Sequence, residues 1–296
     1  MYKIPESVDR NIPYRYDKKG RIKNLQGRKR RERLMKIGFI GAGNMGKAIM
    51  KGILASGAGR KEDILAADLS DKARDAAKAL GVQVTTDNVQ AAGCDIVFLS
   101  IKPQFYQEVI TSISPVVTEK TCIVTIAPGW TLEKLTAAFG KDVKIIRTMP
   151  NTPAMVGEGM TAVCHNPFVT PEELEYVCSL LRSFGKCTII PERLMDAVVS
   201  VSGSSPAYVY IFIEALADGA VRDGMPRDMA YEFAAQAVLG SAKMVLETGL
   251  HPGALKDMVC SPGGTTIEAV RALEARGFRS AVLEAMEACS NKAKGM

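Results

Sequence analysis

Residues 36–46 read KIGFIGAGNMG, and the reading of this stretch decides the architecture. The apolar run KIGFIG has the length of a strand, and a helical period follows it as GNMGKAIMKGILASG, ending at Gly57. Between the two, Gly41, Gly43 and Gly46 form G-x-G-x-x-G. At a strand-to-helix turn each glycine has a physical reason. Gly41 permits the tight turn, Gly43 lets the backbone approach a pyrophosphate, and Gly46 lets the helix pack close to the strand. The diphosphate then sits on the helix N-terminus, among the first N–H groups at Asn44 and Met45.

Outward from this turn the chain keeps alternating short apolar runs with helical periods. DILAAD is the next strand, and SDKARDAAKALG a helix that opens on a Ser/Asp cap and closes on Gly81. VQVTT, a short helix near Asn88, DIVFLSI, a helix from Gln104, TCIVTIA, a helix from Thr131 to Phe139, and VKIIRTM follow. A last strand pair, MTAVCH and CTIIP, flanks the helix PEELEYVCSLLRSFG. This alternation predicts an α/β fold: a Rossmann-type, doubly wound, mostly parallel sheet. After Pro191 the strand signals stop and the chain reads as helical to its end. Tyr208, Tyr210, Ile211, Phe212, Ile213 and Leu216 crowd one stretch of that region, and so much apolar surface predicts burial against another chain. The expected organisation is a leader at 1–34, a dinucleotide-binding domain at 35–192 and a helical dimerisation domain at 193–296.

Asp68 ends the second strand, where an acidic side chain accepts from a ribose 2′-OH and disfavours a 2′-phosphate. The alternative is that Asp68 only caps the strand end. Ser70, Lys72 and Arg74 follow closely and offset its charge, so the choice between NADH and NADPH stays open. SIKPQ, IAPGW and RTMPNTPAMVGEGMT place proline-bearing turns after three later strands and outline a crevice. Ile101, Lys102, Pro103, Ala127 and Asn151 are its candidate cofactor contacts, with Asp68 and Ser70.

Composition narrows the remaining classes. With 47% apolar and 24% charged residues the chain is an ordinary globular one, so disorder is not expected of its body. The longest apolar stretch, 196–217, is interrupted by serines, Pro206 and Glu214, and reads as a helix buried in protein rather than a membrane span. The net charge of +6 comes from residues 1–34, which hold 12 Lys/Arg against 4 Asp/Glu and leave a slightly acidic body. A nucleic-acid partner is therefore not expected, and the leader is read as a disordered extension ahead of a native start at Met35. It has no apolar core of a secretory signal, and Glu6, Asp9, Asp17 and Glu32 count against a mitochondrial presequence. Seven scattered cysteines without a C-x-x-C pair fit reduced thiols and a cytoplasmic location. Two histidines, His165 and His251, lack metal-ligand spacing, so no metal site is expected.

Residues 260–270, CSPGGTTIEAV, put a proline, two glycines and two threonines directly ahead of a helical pattern, although all are poor helix formers. Gly263 and Gly264 would turn the chain and present free N–H groups at a helix beginning near Thr265. Such a terminus binds a carboxylate or phosphate without a cationic side chain, and Ser261 and Thr266 add hydroxyls. The plainer alternative is an ordinary N-cap by Thr265.

IGFIGAGNMG, IKPQ, RTMPNTP, SGSSPAYVYIFIEALADGAV and HPGALKDMVCSPGGTTIEAVRALEARGFRSAVLEA together resemble the Δ1-pyrroline-5-carboxylate reductase family, in order from about Lys36 to Ala288. The resemblance implies hydride transfer from NADPH or NADH to C5 of a cyclic imine, giving L-proline in the last step of its synthesis. It implies a helical domain that interlocks with a second subunit, in dimers that in the family often assemble to decamers. It also implies that Ser261, Gly264 and Thr265, with Gly263 at the turn, hold the substrate carboxylate, and that Thr266 is catalytic, reaching the ring nitrogen.

Three places depart from the family pattern. IAPGW carries Pro128 and Trp130 where small residues are usual, and Ser205 stands where glycine is usual. Asp68-Leu69-Ser70 replaces a segment that often holds an arginine suited to a 2′-phosphate. Two other readings compete. One keeps the architecture and changes the substrate, to a six-membered cyclic imino acid or a β-hydroxy acid. The β-hydroxyacid dehydrogenases rely on a helical lysine that SVSGSSPAYVY lacks. The other is a dinucleotide-sensing regulator with a nucleic-acid-binding leader, in which the 260–270 segment would have no purpose.

Overall fold

The structure, a computed structural model, describes residues 35–295. The expected disorder of the leader lies outside these residues. The alternation seen in the sequence folds as β1 (Ile37–Ile40), α1 (Asn44–Ser56), β2 (Ile64–Ala67), α2 (Asp71–Lys78), β3 (Gln83–Thr85), α3 (Asn88–Ala92) and β4 (Ile96–Leu99). It continues through α4 (Tyr106–Ile113), β5 (Cys122–Thr125), α5 (Leu132–Phe139), β6 (Lys144–Met149), β7 (Gly159–His165), α6 (Pro171–Arg182) and β8 (Gly185–Ile189). The strands form one sheet in the order β3-β2-β1-β4-β5-β6-β7-β8. Every neighbouring pair is parallel except β6 and β7. This is the expected mostly parallel, doubly wound sheet.

The central strands are buried on both faces, which is why they read as unbroken apolar runs. Their period of two divides them between two cores. Ile37, Phe39, Ile96 and Phe98 pack with α1 and α6, and the Phe39 and Phe98 rings stack at 4.8 Å. Ile40, Val97 and Leu99 pack on the other face with Tyr106 and Ile110 of α4 and Leu135 and Phe139 of α5. Each fully buried large side chain contributes about 1.5–3 kcal/mol, so this sandwich is the main stabilising term.

Helix bounds differ from the sequence reading in three places, one being α6, which ends at Arg182 so that Gly185 opens β8. The α2 period carries on to Gly81, but its end tightens: Leu80 N–H bonds Ala77 C=O and Gly81 N–H bonds Lys78 C=O, three residues back. The helix expected from Gln104 opens instead as a 3₁₀ turn, Pro103–Phe105, and becomes α-helical at Tyr106.

Beyond β8 the described residues contain no strand. They form α7 (Met195–Val198), a π-helical turn at Val199–Gly203, α8 (Ser205–Arg222), α9 (Arg227–Thr248), α10 (Pro252–Val259), α11 (Thr265–Ala275) and α12 (Phe278–Lys294). α8 packs on α9, where the buried residues are the small Ala217, Ala230 and Ala234. Large side chains stay outside: Ile211 is 66% exposed, Phe233 62% and Leu246 65%. A single chain therefore leaves this region's apolar surface uncovered. Among the described residues no helix is long and apolar enough to cross a membrane. Ser205, the departure at the start of α8, fits without strain because its hydroxyl donates to Val201 C=O at 2.6 Å.

Candidate active site

The turn between β1 and α1 shows why its glycines are needed. Gly41 has φ +99°, and a Cβ there would lie 2.5 Å from the Ser100 carbonyl oxygen. A Cβ at Gly46 would lie 2.5 Å from Gly41 O and 2.9 Å from Ser100 Oγ. Gly43 differs, since a Cβ there would meet nothing within 4 Å. Its missing side chain clears space outside the protein, on the approach to α1. That helix has Gly43 as its cap, no side chain hydrogen-bonded there and no acid in its first turn, so its first N–H groups and dipole face outward. The arrangement fits a diphosphate. Ser100, which the sequence reading did not single out, fixes the turn from the neighbouring strand. Its hydroxyl donates to Gly41 C=O at 2.6 Å and its N–H to Ile40 C=O at 2.8 Å. Its only sequence signal is its place directly after β4; that β4 lies beside β1 is not written locally.

Asp68 stands at the end of β2 with both carboxylate oxygens engaged. One accepts from the Ala42 N–H and the other from the Ser70 N–H, each at 2.8 Å. It therefore ties the glycine turn to the head of α2, and each oxygen keeps a second lone pair for an outside donor. The Ser70 hydroxyl caps α2 by accepting from Ala73 N–H. Arg74 donates to Asp68 C=O at 2.6 Å and also binds the Asp71 carboxylate.

Strands β1, β4, β5 and β6 are sequential neighbours and parallel, so the turns that follow them line one edge of the sheet. Ile101 abuts Gly41, Lys102 is exposed and Ala127 is buried. The Trp130 indole N–H donates to Pro103 C=O at 3.1 Å, and its ring lies 5.1 Å from that of Tyr106. Trp130 thus fastens the turn after β5 to the turn after β4. Tyr106 supports both from beneath, donating to Leu99 C=O at 2.7 Å and accepting from Ile126 N–H. Burial raises the ionisation of this phenol well above its ordinary value, so it stays a donor at any physiological pH. Asn151 is nearly buried, and its amide is committed on both sides. It donates to Ser202 C=O at 3.0 Å, in the π-helical turn, and accepts from Met160 N–H at 2.8 Å. Its side chain joins the sheet to the helical region, and its second amide hydrogen and second oxygen lone pair stay uncommitted among these bonds.

A second tie fastens the chain just beyond β8 back onto the sheet. Arg147 of β6, its side chain 2% exposed, binds Glu192 at 2.8 Å, and the same Glu192 oxygen accepts from Leu132 N–H at the start of α5. Sequence reasoning missed this pair because its members lie on separate elements far apart in the chain.

At 260–270 the chain turns as anticipated. Gly263 has φ +67°, Gly264 N–H bonds Ser261 C=O at 3.0 Å, and α11 starts at Thr265. The cap position belongs to Gly264, not to Thr265. A Cβ at residue 264 would lie 2.4 Å from Ser261 Oγ, so only glycine lets the serine hydroxyl fold over this point. No side chain caps α11, which leaves its first N–H groups for an acid. Ser261 and Thr265 are exposed and Thr266 is half-buried. The backbone bonds of 260–266 stay within this region: Cys260 N–H bonds Lys256 and Asp257 C=O, and Gly264 N–H bonds Ser261 C=O.

A doubly wound sheet with an open diphosphate cradle at its switch point defines a dinucleotide-binding protein. The chain is 54% identical to pyrroline-5-carboxylate reductase of Escherichia coli K12 over 261 residues, 88% of this chain and 97% of that one. It belongs to the pyrroline-5-carboxylate reductase family. Residues 192–296 match the family described as pyrroline-5-carboxylate reductase dimerisation, and residues 36–129 match NADP oxidoreductase, coenzyme F420-dependent. The Methanosarcina acetivorans reductase is 42% identical with the same coverage. Among solved structures, Plasmodium falciparum pyrroline carboxylate reductase with NADP bound superposes with a TM-score of 0.81 at 33% identity, covering 88% of this chain and 97% of that one. The dimerisation match explains the uncovered apolar helices: they are a surface for another copy of the chain.

Proposed function

We propose that this chain reduces Δ1-pyrroline-5-carboxylate to L-proline and that the residues described above carry the reaction. The observation supporting those roles is the presence, in one chain, of an open diphosphate cradle and an uncapped helix N-terminus behind Ser261 and Gly264. The dinucleotide, NADPH or NADH, supplies the hydride when bound. Gly41, Gly43, Asn44, Met45 and Gly46 hold its diphosphate, Asp68 and Ser70 meet the adenosine ribose, and Ile101, Lys102, Pro103 and Ala127 line the crevice. The N–H groups of Thr265 and Thr266 and the Ser261 hydroxyl hold the substrate carboxylate, with Gly263 and Gly264 shaping the turn. The Thr266 hydroxyl bonds the ring nitrogen and moves its proton. A protonated cyclic imine is already electrophilic, so the protein's work is mainly to hold C5 against the hydride donor.

The sheet region 35–192 is the dinucleotide domain and 193–296 the dimerisation and substrate domain, in an interlocked dimer that assembles further in the cytoplasm. The region that carries the 260–266 turn matches a dimerisation family and leaves its apolar faces uncovered, which supports a site that takes its cradle from one subunit and its carboxylate-binding terminus from the other. Co-expressed, differently tagged Gly43→Val and Thr266→Ala chains test this. Each homodimer keeps only a small fraction of the wild-type turnover, while the mixed dimer recovers one intact site; a mixed dimer no more active than the two homodimers would place both halves in the same chain.

Oxidation of NADH and NADPH with Δ1-pyrroline-5-carboxylate, with proline identified as product, tests the reaction. Folded protein that binds a dinucleotide but turns over neither would shift the assignment to another imine. Thr266→Ala, losing a hydrogen bond to a charged group, is expected to lower kcat/KM about 10- to 100-fold with dinucleotide affinity unchanged. Asp68→Ser is expected to raise the ratio of NADPH to NADH efficiency. An unmoved ratio would leave Asp68 as a tie for the glycine turn alone.

A further inference from the structure

The carboxyl ends of the central strands are tied to one another sideways by side chains. The Ser100 hydroxyl joins β4 to β1 by donating to Gly41 C=O at 2.6 Å, and the Thr148 hydroxyl joins β6 to β5 by donating to Thr125 C=O at 2.8 Å. Both ties lie at strand ends, where the sheet's own hydrogen bonds already set the spacing. The tie made by Trp130 is different. Trp130 stands well past the end of β5 at Thr125, and its acceptor Pro103 well past the end of β4 at Leu99, beyond the reach of strand pairing. Two side chains hold this outer turn: the Trp130 indole donates to Pro103 C=O at 3.1 Å, and the Lys134 amine donates to Gly129 C=O at 3.0 Å. Beside the indole, the buried Tyr106 ring bonds both Leu99 C=O and Ile126 N–H and gives the bracket a fixed base.

Strand order gives this bracket its meaning. Asp68 ends β2 and marks the side of the glycine turn that takes the adenosine. In the order β3-β2-β1-β4-β5, strands β4 and β5 lie on the opposite side of β1. A dinucleotide with its diphosphate at the head of α1 therefore lays its nicotinamide half over the turns after β4 and β5. These are the two turns that Trp130 fastens together.

We propose that Trp130 is a positioning residue for hydride transfer, holding the two turns at the spacing that keeps the nicotinamide ring against the substrate. This role rests on the reading that these turns line the crevice. The step moves a hydride, with both electrons of its C–H bond, from C4 of the nicotinamide to C5 of the imine. The C=N π pair becomes the nitrogen lone pair, so the dinucleotide is oxidised and the imine reduced. Trp130 acts through the two turns, and what it contributes is distance and angle. A misplacement of about 1 Å costs on the order of 100-fold in rate. The ring also borders an open surface hollow with Gln107, Lys134 and Ala137, so a smaller side chain there is met by water rather than by a sealed cavity, and the fold tolerates it.

The test uses the full-length protein with Trp130→Val, which removes ring and donor, and Trp130→Phe, which keeps a ring beside Tyr106 but leaves Pro103 C=O without its donor. With NADPH and Δ1-pyrroline-5-carboxylate saturating, single-turnover hydride transfer per folded, loaded subunit should fall about 10- to 100-fold in Trp130→Val and about 2- to 10-fold in Trp130→Phe. NADPH affinity, set mainly at the glycine turn, should stay near that of the wild type. A readout without turnover is the emission anisotropy of bound NADPH, excited directly at its dihydronicotinamide. It should fall in Trp130→Val, where the ring is bound but no longer held. A wild-type hydride step and anisotropy in that variant would overturn the proposal. So would a rate loss that vanishes when counted per folded, loaded subunit, which is what a merely structural role predicts. If Trp130→Val does not fold, Trp130→Phe decides by the same two readouts. Lys102→Glu, exposed on the turn after β4, separates this role from the crevice reading beneath it. Weakened NADPH binding in Lys102→Glu with Trp130→Val unaffected would sink the positioning role and keep the crevice; wild-type behaviour in both would sink the two together.

Discussion

Glu192→Ala is expected to lower the melting temperature by about 6–12 °C at fixed protein concentration, the equivalent of about 3 kcal/mol in a domain of this size. The figure takes the low end for a broken buried pair because the Glu192 side chain is 33% exposed. The loss falls mainly on Arg147, whose guanidinium stays inside the protein with its counter-charge removed, its Nε already without a partner. The start of α5 also loses the acceptor for Leu132 N–H. Arg147→Met should cost less, since Glu192 keeps that N–H and its water, and adding it to Glu192→Ala should recover part of the lost stability. Equal losses from the two single substitutions would mean that the buried charge is not what the pair manages. Thermal unfolding of the three variants separates these outcomes.

The second large effect separates two glycines that look alike in the sequence. Gly43→Val projects into open space, so its melting temperature should match the wild type. It bars the diphosphate from the head of α1, and losing two charge-assisted hydrogen bonds weakens dinucleotide binding about 100-fold or more. Gly41→Ala should lose both properties. Its Cβ combines a positive φ with a 2.5 Å approach to the Ser100 carbonyl, worth about 2–5 kcal/mol. Calorimetric titration with NADPH beside thermal unfolding reads both. A destabilised Gly43→Val would mean that the space above the turn is occupied by protein.

The strands were legible because each is an apolar run closed by a polar or glycine-bearing turn, and the glycine turn because its three positions carry distinct steric demands. The start of α11 at Thr265 was legible for the same reason. Direction was not: nothing in MTAVCH says that β7 runs against β6, since an apolar run reads the same for either sense of pairing. The π-helical turn at Val199–Gly203 was hidden in a sequence that suits an α-helix equally well. Asp68 drew notice for a ribose, but its two bonds to backbone N–H groups depend on β1 lying beside β2. Asn151 drew notice as a crevice residue, while its amide answers to Met160 and Ser202, partners that only the fold brings near. Residues whose role is set by local backbone geometry were readable; those serving distant partners were not.

Trp130 is the only tryptophan in the chain, and its indole N–H is fixed to the Pro103 carbonyl between two turns of the crevice. All tryptophan emission from this protein therefore originates at that one seam. Its colour and intensity report the polarity and rigidity of the crevice lip directly, and the protein carries its own optical probe without a dye or an engineered label.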